Sequence, residues 1–219
     1  MTDQPSRLVF IRHGQSRSNL EAWMSSQATC GGLTDKGKAE AALARDYLAV
    51  SPDLAPDAIV VSTMRRAIET AAIVAEPTGL VAEQRAELIE IVVGEVEGMM
   101  VADYVAMFGH RPFAEWGPAV SPGGEDAVAF QTRVASAVDR LSAETAGRTT
   151  WVVCHGFVIR GAAHHFNAGA VDGAPLFGGM ANASLSVWAQ HDPDADWMLE
   201  RYNDSAHTAH LDDDPASYF

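Results

Sequence analysis

Leu8-Val9-Phe10-Ile11-Arg12-His13-Gly14 is the stretch that decides the fold, because a short apolar run ends there in an arginine, a histidine and a glycine. Four consecutive apolar residues are typical of a strand that is buried on both faces of a sheet. A second such strand is predicted at 150–154, and it ends in a similar way, in His155-Gly156. Both histidines therefore follow buried strands, and a helix is predicted after each.

The rest of the chain alternates apolar strands with amphipathic helices. Further strands are predicted at 58–62, 81–85, 184–189 and 197–202, and helices after Thr34, within 63–75, within 124–144 and after Gly156. This alternation predicts an α/β fold with three α/β/α layers and a mostly parallel central sheet. No repeat or linker divides the chain, so we expect a single domain over residues 1–219.

The charge balance limits the classes of partner. A formal net charge of −14 disfavours nucleic acid and anionic lipid surfaces, which both require a basic face. No apolar run approaches the roughly 20 residues that span a bilayer, so no membrane partner is expected. The two cysteines, Cys30 and Cys154, have no metal-like spacing, and we expect free thiols in a reducing cytoplasm.

Four reactive residues are predicted to meet at one edge of the sheet. Arg12 and His13 follow the first strand, Arg66 begins a helix after the second, and His155 follows a later strand. Ligands of parallel sheets bind beyond the carboxyl ends of the strands. Two guanidinium groups beside helix N-termini suit phosphate, and they would supply the local positive charge that an acidic chain needs to bind an anion.

Glu90 is the candidate proton donor. It stands alone inside the apolar stretch 88–94, where a desolvated carboxyl would have a raised pKa, as a general acid near neutral pH requires. A solvent-facing position on an edge strand is the alternative interpretation. Glu95 and Glu97 are nearby carboxylates that could compete for the role.

Taken together, these motifs resemble the histidine phosphatase superfamily, which has the phosphoglycerate-mutase-like fold. Seven matching segments occur in the family's order, namely 12–16 with Asn19, 33–37, 62–70, 90–98, 122–125 with Phe130 and Arg133, His155-Gly156, and 182–184. One such motif is weak evidence, whereas seven in order identify the chain as a member.

The resemblance implies a role for each site residue. His13 would attack phosphorus and form a phosphohistidine, while Glu90 would protonate the leaving oxygen and later activate water. The residues expected to hold the phosphoryl oxygens are Arg12, Asn19, Arg66, His155 and Gly156. No metal ion or other cofactor is needed, and the expected partner is a small phosphorylated metabolite.

Hydrolysis is favoured over two alternatives. Residues 21–32 do not match the segment that the cofactor-dependent mutases carry there, and 99–121 contains Arg111 as its only arginine. Mutase-type phosphoryl transfer nevertheless stays open. A catalytically silent phosphate-binding module is the second alternative, and the presence of Glu90 counts against it, because a binder does not need a proton donor.

Two segments and the C-terminus complete the expectations. Segments 20–32 and 99–121 are predicted to cap the substrate. Ordinary packing is an equal alternative for their apolar residues, which are Trp23, Met24, Met99, Met100, Tyr104, Phe108 and Trp116. An acidic, solvated tail is expected from about residue 204, with His207 and His210 in it. A homodimer is compatible with the sequence, which does not determine the oligomeric state.

Overall fold

The computed structural model describes residues 4–113, 117–167 and 179–211. Six strands of this part form one sheet in the order β3-β2-β4-β1-β5-β6. The strands are β1 Ser6–Arg12, β2 Ala58–Ser62, β3 Glu83–Arg85, β4 Thr149–Cys154, β5 Leu185–Gln190 and β6 Met198–Asp204. The strand pairs β3–β2, β2–β4 and β4–β1 are parallel, whereas β5 and β6 add an antiparallel edge. The prediction of a mostly parallel sheet is confirmed.

Helices cover both faces of the sheet, which confirms the three predicted layers. They are α1 Arg17–Glu21, α2 Asp35–Ala49, α3 Arg65–Ala75, α4 Val101–Phe108, α5 Ala127–Glu144 and α6 Gly156–Phe166. Successive side chains of a strand point to opposite faces. Accordingly Val9 and Ile11 pack with α2 and α3, whereas Leu8 and Phe10 pack with α5 and α6.

Helix caps fix where several of these elements begin. Thr34 caps α2 as predicted, since its hydroxyl accepts a hydrogen bond from the Gly37 N–H at 3.0 Å. α5 begins at Ala127 rather than near residue 124, because the Asp126 carboxylate accepts from the Ala129 N–H at 2.7 Å. β3 is shorter than the predicted 81–85, and Val81 before it is 91% exposed.

The expectation of a solvated tail from about residue 204 was wrong as far as residue 211. β6 continues to Asp204, and a short 3₁₀ helix follows at Ala206–Leu211. Within it the His207 ring stacks on Tyr47 at 5.2 Å and bonds the Ala183 carbonyl at 3.1 Å. These contacts hold the segment against the domain. Asp212, Asp213 and Asp214, the acidic part of the expected tail, lie outside the described residues.

The loop after His13 is pressed against the start of α2. Gln15 N–H donates to the buried Glu40 carboxylate at 2.6 Å, and Thr34 N–H donates to the Gln15 carbonyl at 2.9 Å. Gly37 makes this approach possible, because a Cβ at that position would lie only 2.0 Å from the Gln15 oxygen. None of the described helices is both long and apolar enough to cross a membrane.

We expect Gly37→Ala to destabilise the protein and to reduce turnover, because the added methyl must push the 14–15 backbone away from α2. Overpacking of this kind costs about 1–3 kcal/mol. Urea denaturation and hydrolysis of p-nitrophenyl phosphate measure the two effects. Lys38→Ala, one residue later with a 58% exposed side chain, is the matched control and should change neither. Wild-type stability in the Gly37 variant would contradict the close contact.

Candidate active site

His13 is a buried, neutral histidine with one defined tautomer. Its backbone is fixed between the end of β4 and the turn before β5, since its N–H donates to Cys154 O at 3.0 Å and its carbonyl accepts from Ala183 N–H at 3.2 Å. The ring Nδ1 lies 2.7 Å from the Gly14 carbonyl, which can only accept, so Nδ1 carries the proton. The lone pair is therefore on Nε2, the nitrogen that faces the other reactive side chains.

Arg66 joins the two histidines. Its Nε–H points at His13 Nε2 at 3.0 Å and at His155 Nδ1 at 3.3 Å. Because a guanidinium can only donate, both ring nitrogens are acceptors. His155 must then carry its proton on Nε2, which lies 2.8 Å from the Ser62 hydroxyl.

Burial and two positive charges keep both imidazoles neutral. Desolvation, reinforced by Arg66 and Arg12, holds the pKa of His13 well below 6.5. The pKa of His155 is also held well below 6.5, first by burial and then by Arg66. A neutral imidazole is the form that can act as a nucleophile.

Arg12 is the second buried guanidinium of the cluster. One of its terminal nitrogens donates to the Met180 carbonyl, and a Cβ at Gly156 would lie 3.6 Å from its Nε. Gly156 opens α6, so the helix N-terminus and the guanidinium face the same space. Burial lowers the pKa of Arg12 to about 10, which leaves it charged at neutral pH.

Glu90 lies at the same edge of the sheet, in a non-regular segment rather than on an edge strand. Its Oε1 accepts from Ile91 N–H at 3.0 Å, and its Oε2 accepts from Phe157 N–H, on the first turn of α6, at 3.4 Å. Desolvation raises the pKa of Glu90, although Arg66 and the two backbone hydrogen bonds oppose the rise. The side chain thus has the protonation behaviour of a general acid.

The competing carboxylates have other surroundings. Glu95 is exposed, and Glu97 accepts a hydrogen bond from Thr29 N–H at 3.0 Å, between the two predicted capping segments. These segments meet through further backbone bonds, such as Met24 N–H to Met99 O at 2.9 Å. Trp116, predicted as part of the cap, lies outside the described residues.

Arg133 holds the Glu90 segment in place. Its guanidinium forms a bidentate ion pair with Glu125 at 2.7 and 2.6 Å, and it also donates to the carbonyls of Glu87 and Ile89 at 2.9 Å each. Arg133 and Glu125 were recognised only as parts of a motif. The sequence does not reveal this clamp, because both carbonyls belong to backbone that lies far away along the chain.

A chain of hydroxyl groups connects Arg66 to Asn19 and was also missed from the sequence. Arg66 Nη1–H donates to Ser25 Oγ at 2.7 Å, and Ser25 donates to Ser18 Oγ at 3.0 Å. Ser18 and Ser16 are 2.9 Å apart, and Ser16 donates to Asn19 Oδ1 at 2.7 Å. Three serines thus hold two of the predicted phosphate-binding residues in one network.

Cys30 is a further contact of Arg66. Its sulfur lies 3.4 Å from the Arg66 backbone nitrogen and 3.7 Å from Nη1. Both Cys30 and Cys154 are free, as predicted. Across the described ranges, no group of three or more His, Cys, Asp or Glu residues is arranged to hold a metal ion.

The family model that describes branch 1 of the histidine phosphatase superfamily matches residues 8–205. This match spans every residue of the cluster around His13. The chain belongs to this superfamily. It is an enzyme that hydrolyses phosphate monoesters, and its expected phosphoglycerate-mutase-like fold is confirmed.

Similar proteins include named phosphatases over nearly the whole chain. A glucosyl-3-phosphoglycerate phosphatase of Mycolicibacterium vanbaalenii is 32% identical over 224 residues, 93% of this chain and 96% of that protein. The solved structure of a mycobacterial glucosyl-3-phosphoglycerate phosphatase with VO3 superposes with a TM-score of 0.77 at 29% identity, covering 90% of this chain and 99% of that one.

The similarity to a mutase is shorter. A 2,3-bisphosphoglycerate-dependent phosphoglycerate mutase of Mycobacterium tuberculosis is 34% identical over 112 residues, 50% of this chain and 44% of that protein. The phosphatases therefore share the whole domain with this chain, whereas the mutase shares half of it. The mutase alternative is the weaker one.

We expect Arg133→Met to lower both stability and turnover, since it removes the ion-pair partner of Glu125 and releases the backbone that carries Glu90. Removing one partner of a half-buried, hydrogen-bonded ion pair costs about 2–4 kcal/mol. Arg140→Met, on the same helix, breaks an ion pair in which the arginine side chain is 56% exposed and should cost at most about 1 kcal/mol. Chemical denaturation and steady-state kinetics test both variants. Equal effects in the two variants would contradict the clamp.

Proposed function

We propose that His13 is the nucleophile of this phosphomonoester hydrolase and that Glu90 is its proton donor. The observation that carries the proposal is the tautomer of His13: the Gly14 carbonyl holds the proton on Nδ1, so the Nε2 lone pair faces Arg66. A bond forms between Nε2 and phosphorus while the bond to the leaving oxygen breaks. Glu90 gives its proton to that oxygen.

The second half of the reaction regenerates the enzyme. Glu90, now a carboxylate, takes a proton from water, whose oxygen bonds to phosphorus as the Nε2–P bond breaks. The products are inorganic phosphate, neutral His13 and protonated Glu90. A positioned acid–base group of this kind contributes about 10²–10⁴ in rate.

Phosphate binding falls to Arg12, Asn19, Arg66, His155 and Gly156. The Arg66 Nε–H is directed at the Nε2 lone pair of His13 at 3.0 Å. A phosphoryl oxygen is a stronger acceptor for that donor, because it is charged. Substrate binding thus draws Arg66 onto the phosphate and exposes the nucleophile at the same moment.

The proposed substrate is a phosphoglycerate that carries a sugar, and the proposed reaction is hydrolysis of its phosphate ester. Support comes from the phosphatases of similar length, which are named for glucosyl-3-phosphoglycerate. We further propose that the chain acts as one domain in which segments 20–32 and 99–121 cover the leaving group. The two free thiols support an assignment to a reducing cytoplasm.

Brief mixing with a ³²P-labelled phosphomonoester and quenching without acid should trap the label on His13. His13→Ala should abolish labelling and turnover, because it removes the ring whose Nε2 lone pair faces Arg66. His191→Ala, which alters a histidine whose side chain is 54% exposed, is the control and should keep both. Full turnover in the His13 variant would overturn the mechanism, and label recovered as an isomerised phosphoglycerate would identify a mutase.

Glu90→Gln should lower kcat/KM, which reports phosphoryl transfer to His13, by about 10²–10⁴-fold for alkyl phosphates and far less for p-nitrophenyl phosphate, since nitrophenolate leaves without a proton. The pH profile of kcat/KM separates the titration of His13 from that of Glu90. Neutral His13 places the acidic limb well below pH 6.5, and protonated Glu90 places the basic limb above 4.5, because its pKa is raised. The basic limb should vanish in Glu90→Gln and persist in the control Glu95→Gln. A basic limb that is unchanged in Glu90→Gln would show that Glu90 is not the proton donor.

A further inference from the structure

One of the two backbone anchors of His13 lies in an irregular turn. The His13 N–H donates to Cys154 at the end of β4, a strand that is paired on both sides. The His13 carbonyl accepts instead from the N–H of Ala183, in the turn 180–184 that precedes β5. Because Ala183 lies before β5 begins, the position of this second anchor depends on the groups that pack against the turn.

Ala183 has a backbone conformation that an alanine adopts only under constraint. Its φ is +55°, in the left-handed region, where the Cβ comes close to the following carbonyl oxygen. Such a conformation persists when the surrounding contacts enforce it. Ala183 is fully buried, so these contacts come from the protein itself.

His207 supplies a hydrogen bond to the carbonyl of this alanine. The ring Nε2 lies 3.1 Å from Ala183 O, which can only accept, so Nε2 carries the proton. The other nitrogen, Nδ1, has no hydrogen-bond partner within residues 4–113, 117–167 and 179–211. Burial lowers the pKa of His207, although the bond to Ala183 and the charge of Asp204 oppose this effect. The ring is therefore a neutral group with a single N–H donor.

The His207 ring is itself held in a fixed orientation. It stacks on Tyr47 of α2, with centroids 5.2 Å apart and an angle of 20° between the planes. The Tyr47 hydroxyl donates to Asp204 at 3.2 Å. Asn203, near the end of β6, accepts from the Ala181 N–H of the same turn at 2.8 Å. The stretch 203–207 thus bonds the turn at two points, and both bonding side chains are anchored on regular elements or next to them.

We propose that His207 is a positioning residue for His13 and that it acts through Ala183. The Nε2–H of His207 holds the left-handed turn, and the N–H of Ala183 holds the carbonyl of His13. This inference rests on the proposed function, because it takes His13 as the nucleophile. A displacement of about 1 Å at a reacting group can cost about 10²-fold in rate, so one remote hydrogen bond is enough to affect the attack on phosphorus.

Removing the donor while keeping an aromatic ring tests this role. His207→Phe retains the stacking on Tyr47 and loses the Nε2–H. In a single turnover with a ³²P-labelled phosphomonoester, labelling of His13 should slow by about 10–100-fold, while the inhibition constant of inorganic phosphate stays within about threefold. Binding is spared because the Arg66 guanidinium is held by Ser25, away from the turn.

Two further variants distinguish positioning from a merely structural role. His207→Gln places an amide N–H near the position of the ring Nε2 and should recover most of the labelling rate. Adding Ala183→Gly to His207→Phe should recover part of it, because glycine adopts a positive φ without the Cβ contact. His210→Phe, at an exposed position of the same 3₁₀ helix, is the matched control and should label at the wild-type rate.

The role is overturned if His207→Phe labels His13 at the wild-type rate, or if neither His207→Gln nor the double variant labels faster than His207→Phe. Urea denaturation shows whether each variant is folded under the assay conditions. If His207→Phe does not fold, His207→Met and His207→Gln give the same comparison, since their side chains are similar in length and differ in the donor. A wild type without label on His13 removes the proposed function together with this role, whereas a labelled wild type confines the failure to His207.

Discussion

The hydrogen-bonding group on which the rest of the site depends is the Nε–H of Arg66, which lies between Nε2 of His13 and Nδ1 of His155. This single donor makes Nε2 of His13 and Nδ1 of His155 hydrogen-bond acceptors. The other ring nitrogens carry the protons, and they bond the Gly14 carbonyl and the Ser62 hydroxyl. The same positive charge suppresses protonation of both imidazoles. One side chain thereby sets the tautomer and the neutral state of His13, the proposed nucleophile.

The positive charge of the site is concentrated inside an acidic chain, and burying that charge costs free energy. Arg12 and Arg66 are buried at or beyond the carboxyl ends of β1 and β2, where Arg12 donates to the Met180 carbonyl and Arg66 donates to the Ser25 hydroxyl. Fixed positive charge of this kind stabilises the charge on a phosphoryl group.

Glu90, the proposed proton donor, is positioned by contacts of a different kind. Glu90 lies in a segment without regular structure, and its position depends on the Arg133 guanidinium, which bonds two carbonyls of that segment while paired with Glu125. The hydrogen bonds from Arg133 hold this segment in place, as pairing with a neighbouring strand would do in a sheet. The raised pKa of Glu90 follows from the desolvation that this placement imposes.

The sequence by itself determined the layers of the fold and predicted that His13, Arg66 and His155 lie together at one edge of the sheet. This was possible because apolar runs, helix periodicity and the ends of β1, β2 and β4 are local features. The tertiary structure decided what depends on contacts between distant segments. It defined the histidine tautomers, the serine chain to Asn19, the Arg133 clamp and the docking of His207 on Tyr47.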